Sequence, residues 1–84
     1  MKATYIDNSW FRISQADAKR LCGKLPAYGH ARLVLIQGIE WWVQRTELNG
    51  KTVWAIHADR LLDYTVPEMR QFLTSYIVPN TTKP

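Results

Sequence analysis

The sequence predicts a small α+β domain: an antiparallel sheet, made of an N-terminal hairpin and a three-stranded meander, packed with two helices. Three observations carry this expectation. Asn49-Gly50 separates two alternating apolar runs, and that dipeptide suits a type I′ hairpin turn because both central positions need positive φ. Two segments, one before and one after the meander, place apolar residues at i, i+3, i+4 and i+7 behind a capping residue. The chain has 84 residues, 46% of them apolar, enough for one core and too few for two.

Taken in order, Ala3–Ile6 and Trp10–Ile13 are aromatic and β-branched runs around Asp7-Asn8-Ser9, a short hairpin. Ser14 follows as a helix N-cap, with Asp17 in the capping-box position and Ile13 and Ala18 placed for a hydrophobic staple. Ala18, Leu21, Cys22 and Leu25 then mark one helical face. The first helix is expected over Gln15–Lys24, ended by Pro26. A Pro/Gly loop leads to three strands, Ala31–Gln37, Ile39–Thr46 and Thr52–His57, joined by Gln37-Gly38 and Asn49-Gly50. After a linker or short helical turn over 58–64, Thr65 and Glu68 form a second capping box with Pro67 in the first turn. Met69, Phe72, Leu73 and Tyr76 continue that helix over Val66–Ile77. Residues 1–78 read as the domain, and 79–84 as a flexible polar tail.

With two-residue loops at both turns, the register can be written down. Val34 faces Trp41, Val43 faces Ile56, and Arg45 faces Trp54. One sheet face carries Val34, Ile36, Ile39, Trp41, Val43, Trp54 and Ile56, and must lie under the helices. The other carries Leu33, Leu35, Glu40, Trp42, Gln44, Val53, Ala55 and His57, half of it apolar. Either the N-terminal hairpin or the last helix folds across that second face, or Trp42, Leu33, Leu35 and Val53 form a surface for a partner or a weak homodimer.

Chemistry-bearing motifs are scarce. Cys22 is the sole cysteine, which excludes an internal disulfide and a Cys-based zinc site; its place on the apolar helix stripe marks it as a core residue. His30 and His57 stand apart without metal-ligand spacing, and there is no phosphate-binding Gly-rich loop or nucleophile elbow. The expectation is a protein that is not an enzyme and takes no cofactor or metal. No apolar run exceeds four residues, as in Leu33–Ile36, far below the ~20 residues of a membrane span. With no apolar leader behind Lys2, the expected setting is cytoplasmic, without membrane association.

Charge is unevenly placed. The net +4 arises in residues 1–45, with seven basic and three acidic side chains, against four of each in residues 46–84. Lys19, Arg20 and Lys24 fall on the solvent side of the first helix, Arg32 follows, and no acid occurs from Lys19 to Gln37. This footprint suits nucleic-acid phosphates; Lys and Arg near a helix C-terminus also simply complement its dipole.

Met1–Ile6 and Ser14–Arg20 resemble the opening and first helix of type I anti-CRISPR proteins of phages and mobile elements. The resemblance lies within the first 20 residues, about a quarter of the chain, and leaves out the second helix and Trp41-Trp42. It implies a non-enzymatic inhibitor that occupies a host surveillance complex, with Lys19, Arg20 and Lys24 competing at a nucleic-acid-binding surface. The functional expectation is therefore a small accessory or inhibitory protein that binds a host protein or nucleoprotein complex. Its candidate contacts are Lys19, Arg20, Lys24, Arg32, Trp42, Leu33 and Leu35. The alternative is a nucleic-acid-binding regulator that uses the basic first helix.

Overall fold

A computed structural model describes residues 1–59 and 64–76. The elements are β1 (Thr4–Asp7), β2 (Trp10–Ile13), α1 (Gln15–Cys22), β3 (Ala31–Ile36), β4 (Ile39–Leu48), β5 (Lys51–His57) and α2 (Val66–Thr74). The strands form one five-stranded antiparallel sheet in the order β1-β2-β5-β4-β3. The small α+β fold is the one expected.

Two tight turns set the meander. Gln37-Gly38 and Asn49-Gly50 both have positive φ at each central residue, 53° and 79° in the first and 53° and 80° in the second. Those are type I′ values, whose twist matches the flanking strands. Pairing then runs as the spacing predicts, with Val34 opposite Trp41, Val43 opposite Ile56 and Arg45 opposite Trp54. The strands are longer than expected at the second turn: β4 continues to Leu48 and β5 starts at Lys51, leaving only Asn49 and Gly50 in the loop.

The N-terminal hairpin does not fold across the second face. It extends the sheet edgewise, because β2 pairs with β5 from Trp10–His57 to Ile13–Trp54. Phe11 and Ile13 thereby join the face already carrying Trp41, Val43, Trp54 and Ile56. Ala18 and Cys22 of α1, Ala58, and Met69 and Leu73 of α2 complete this core, so both helices cover the same side. Phe11 meets the edge of Trp41 at 6.4 Å between centroids, a preferred aromatic geometry. Arg45 lies on this face too, at its rim, with its guanidinium 5.3 Å from the Trp54 ring and 5.8 Å from Tyr28; cation–π attraction explains a charge there.

The caps hold with two corrections. Ser14 accepts from the Asp17 N–H, but the Asp17 carboxylate pairs with Arg20 at 3.0 Å instead of closing a capping box. Helix α1 stops before Pro26. Gly23, at φ 74°, donates its N–H to the Lys19 carbonyl, the left-handed exit that glycine adopts without a Cβ penalty. Leu25 and Lys24 therefore lie beyond the helix. In α2 the Thr65–Glu68 capping box is complete. Its C-terminal end is tied down by Gln37, which donates to Ser75 Oγ at 2.9 Å, and by the Met1 amino group, which donates to the Tyr76 carbonyl at 2.7 Å. Helix α2 ends at Thr74, short of the expected Ile77, because Ser75 caps it by donating its hydroxyl to the Gln71 carbonyl at 2.6 Å. The expected linker residues 60–63 and the tail 79–84 lie outside the described residues. No described helix is long and apolar enough to cross a membrane.

Candidate binding surface

The side of the sheet away from the helices carries a row of large side chains running across four strands. Trp10 of β2 pairs with His57 of β5, His57 with Trp42 of β4, and Trp42 with Leu33 of β3. Directly opposed residues project from the same face. Leu35 sits one step along β3 from Leu33, opposite Glu40. None of these residues belongs to the packed core. Exposure is 42% for Leu33, 63% for Leu35 and 36% for Trp42, so this part of the face is open to solvent among the described residues.

The row is organised at its centre. The Trp10 and His57 rings stack with centroids 3.8 Å apart and planes 16° from parallel. Gln44 Oε1 lies 3.1 Å from His57 Nε2, placed to accept a hydrogen bond from the ring when Nε2 carries the proton. Asp59 Oδ1 lies 3.8 Å from Nδ1 on the other side. Burial pushes the His57 pKa down and the Asp59 carboxylate partly counters it. His57 is thus a neutral, oriented ring wedged beside Trp10, which holds that indole in place.

The rest of the face closes on itself. Ala55 is fully buried and Val53 is only 5% exposed, with Arg12 and Gln44 flanking Ala55 in register. Val53, expected among the exposed apolar residues, is therefore not part of the open patch. A depression of about 620 Å³ adjoins this end of the sheet, and Lys2, Thr4, Arg12, Asp17 and Val53 are among its lining residues.

The seven candidate contacts separate into two groups on opposite sides of the sheet. Leu33, Leu35 and Trp42 share the open face. Lys19, Arg20 and Lys24 lie exposed in and just after α1, on the helix side. Arg32, opposite Val43, projects to that same side and lies close enough to α1 to act on Cys22. Burial pushes the Cys22 thiol pKa up and the Arg32 charge partly counters it; a protonated, buried thiol is a core group. Arg20 is held by Asp17. Trp10 and His57 were not among the candidates, since the spacing alone leaves the hairpin's neighbour undefined. The alternation Trp10-Phe11-Arg12-Ile13 was the available signal, for it sets Trp10 and Arg12 apart from the two core residues. The chain matches no family model, no curated protein and no solved structure.

Proposed function

We propose that this chain is a non-enzymatic binding protein that docks onto a host nucleoprotein complex through the open face of its sheet. The observation that carries the reading is the row Trp10–His57–Trp42–Leu33. A two-layer fold of this size normally gives water a polar second face, whereas here two indoles and two leucines sit on it. Aromatic anchors held in place by their neighbours, with a polar border, are what protein interfaces use as hot spots. Gln44, Arg12 and Glu40 provide that border. The resemblance of the first 20 residues to type I anti-CRISPR proteins supplies the class of target, a multisubunit CRISPR surveillance complex in the cytoplasm of a host cell. On this reading the protein is an inhibitor encoded by a phage or mobile element.

The test is co-elution of the purified chain with a purified type I surveillance complex in size-exclusion chromatography. The wild-type chain is expected to co-elute in stoichiometric amount. Trp42→Ser is expected to remain folded by circular dichroism and to elute alone. Failure of the wild-type chain to co-elute overturns the target; co-elution of Trp42→Ser as complete as wild type overturns the surface.

A second reading, nucleic-acid binding, is favoured by Lys19, Lys24 and Arg32 lying exposed on the helix side. Direct binding of single-stranded or duplex nucleic acid that weakens steeply with salt, and is lost in Lys19→Glu/Lys24→Glu, would establish it in place of the first.

A further inference from the structure

We propose that the outer edge of β3 is a self-recognition element, through which two copies pair β3 to β3 antiparallel about a two-fold axis at Leu33. The argument starts from the hairpin. Ile36 and Ile39 flank a two-residue turn and form its first hydrogen-bonded pair, as such turns require. Hydrogen bonding to β4 then alternates, using Ile36, Val34 and Arg32. The N–H and C=O groups of Ala31, Leu33 and Leu35 point away from β4. Among the described residues no strand pairs with that side and no hydrogen bond reaches those groups.

Edges of this kind are usually blunted by a bulge, a proline, several charges or short length. Strand β3 has six residues, Ala-Arg-Leu-Val-Leu-Ile, a ladder without a register shift, no proline and one charge. The opposite edge is protected. Strand β1 has four residues, ends at Asp7 and is bulged between Tyr5 and Asp7. Head-to-tail pairing of β3 with β1, which would propagate into a filament, is therefore blocked. A closed, symmetric β3–β3 pair is the arrangement left to a second copy.

One register fits better than its neighbours. Centring the axis on Leu33 puts Leu33 opposite Leu33 of the second copy, and Ala31 opposite Leu35 in both directions. All three outward residues of each chain then engage donor and acceptor, giving six hydrogen bonds, whereas a shift of either kind uses two residues and gives four. On the open face the small Ala31 meets the large Leu35. On the helix side Arg32 meets Val34, so the two guanidinium groups are not opposed, as they would be with the axis at Arg32. The centred register also makes one continuous row: Trp10, His57, Trp42 and Leu33 of one copy lead straight into Leu33, Trp42, His57 and Trp10 of the other. A strand edge plus Leu33, Leu35 and Trp42 offers less than the ~800 Å² per partner of a standard stable interface. The pairing is accordingly weak, with a dissociation constant on the order of tens of micromolar.

Sedimentation equilibrium across a wide concentration range tests the association. The wild-type mass is expected to rise from 9.8 kDa towards twice that value. Leu33→Lys is expected to stay monomeric with an unchanged circular dichroism spectrum, since its side chain is exposed and its N–H is not used by β4. A wild-type chain that remains monomeric to about 500 µM, far above the expected dissociation constant, or a Leu33→Lys variant that associates as well as wild type, overturns the proposal. The register is tested by oxidation of single cysteine variants, with buried Cys22 common to all. Leu33→Cys is expected to form a covalent dimer, because opposed residues lie ~5.5 Å apart between Cα atoms, within disulfide reach. Leu35→Cys, displaced from its own counterpart by the register, is expected not to. Equal cross-linking of the two variants overturns the register.

Discussion

Trp41 and Trp42 are neighbours in the chain, yet one is fully buried and the other 36% exposed. Strand alternation alone separates them, and that much the sequence spacing made legible. The role of His57 was not legible, because it depends on Trp10 arriving from a strand 47 residues away in the chain. Its titration follows from that environment. The folded ring takes up a proton less readily than the unfolded chain, whose ordinary value is 6.5. Above that pH both states are neutral and His57 adds no pH dependence. As the pH falls through about 6.5 the unfolded chain protonates first, so stability declines until the folded ring also titrates. The urea midpoint of the wild-type protein is expected to fall between about pH 7.5 and 5.5, and His57→Gln to flatten that fall. Asp59→Asn removes the group that opposes the shift, and so is expected to extend the decline to lower pH. If His57→Gln falls as steeply as wild type, the stacked ring is not the source.

At the level of elements, the meander was legible because its two turns leave only one register open. Asn49-Gly50 and Gln37-Gly38 each fix a two-residue loop, and a loop of fixed length fixes every cross-strand pair after it. The placement of the first hairpin was not legible in the same way. Alternation sets Phe11 and Ile13 apart from Trp10 and Arg12, but alternation selects a face and not a neighbour; pairing with β5 is a long-range choice made by Phe11 and Ile13 entering the core beside Trp54 and Ile56. The stop of α1 was misread for a local reason: Gly23 ends the helix three residues before Pro26 is reached. Glycine also matters at the second turn. Gly50 sits at φ 80° and a Cβ there would meet no atom within 4 Å. Gly50→Ala is therefore expected to cost only its backbone strain, about 1–2 kcal/mol, readable as a lower urea midpoint with an unchanged slope. A change in the slope would mean that the turn also controls the extent of folding, contrary to a purely conformational cost.

For the molecule as a whole, the sheet divides two surfaces of different character. Lys19, Lys24 and Arg32 give the helix side most of the charge excess of the first half, while the open face is aromatic and aliphatic at its centre. If the open face makes the contact, the two sides act on different steps of binding. Exposed charges away from a contact steer the approach of an anionic partner and are screened by salt, over about 10 Å at 0.1 M. Buried anchors hold the complex once formed, and their loss appears in the dissociation rate. For the complex proposed above, Lys19→Glu/Lys24→Glu is expected to slow association several-fold at low salt. The difference should disappear near 0.5 M, where the Debye length is only a few ångströms, and dissociation should be unchanged. Trp42→Ser is expected to accelerate dissociation about tenfold or more, equivalent to at least ~1.4 kcal/mol, with little effect on association. Surface-immobilised kinetics at two salt concentrations separate these outcomes. Should the charge-reversal pair abolish the complex while Trp42→Ser binds normally, the basic helix is the contact. The aromatic row would then be only the outer layer of a sheet that the described residues leave uncovered.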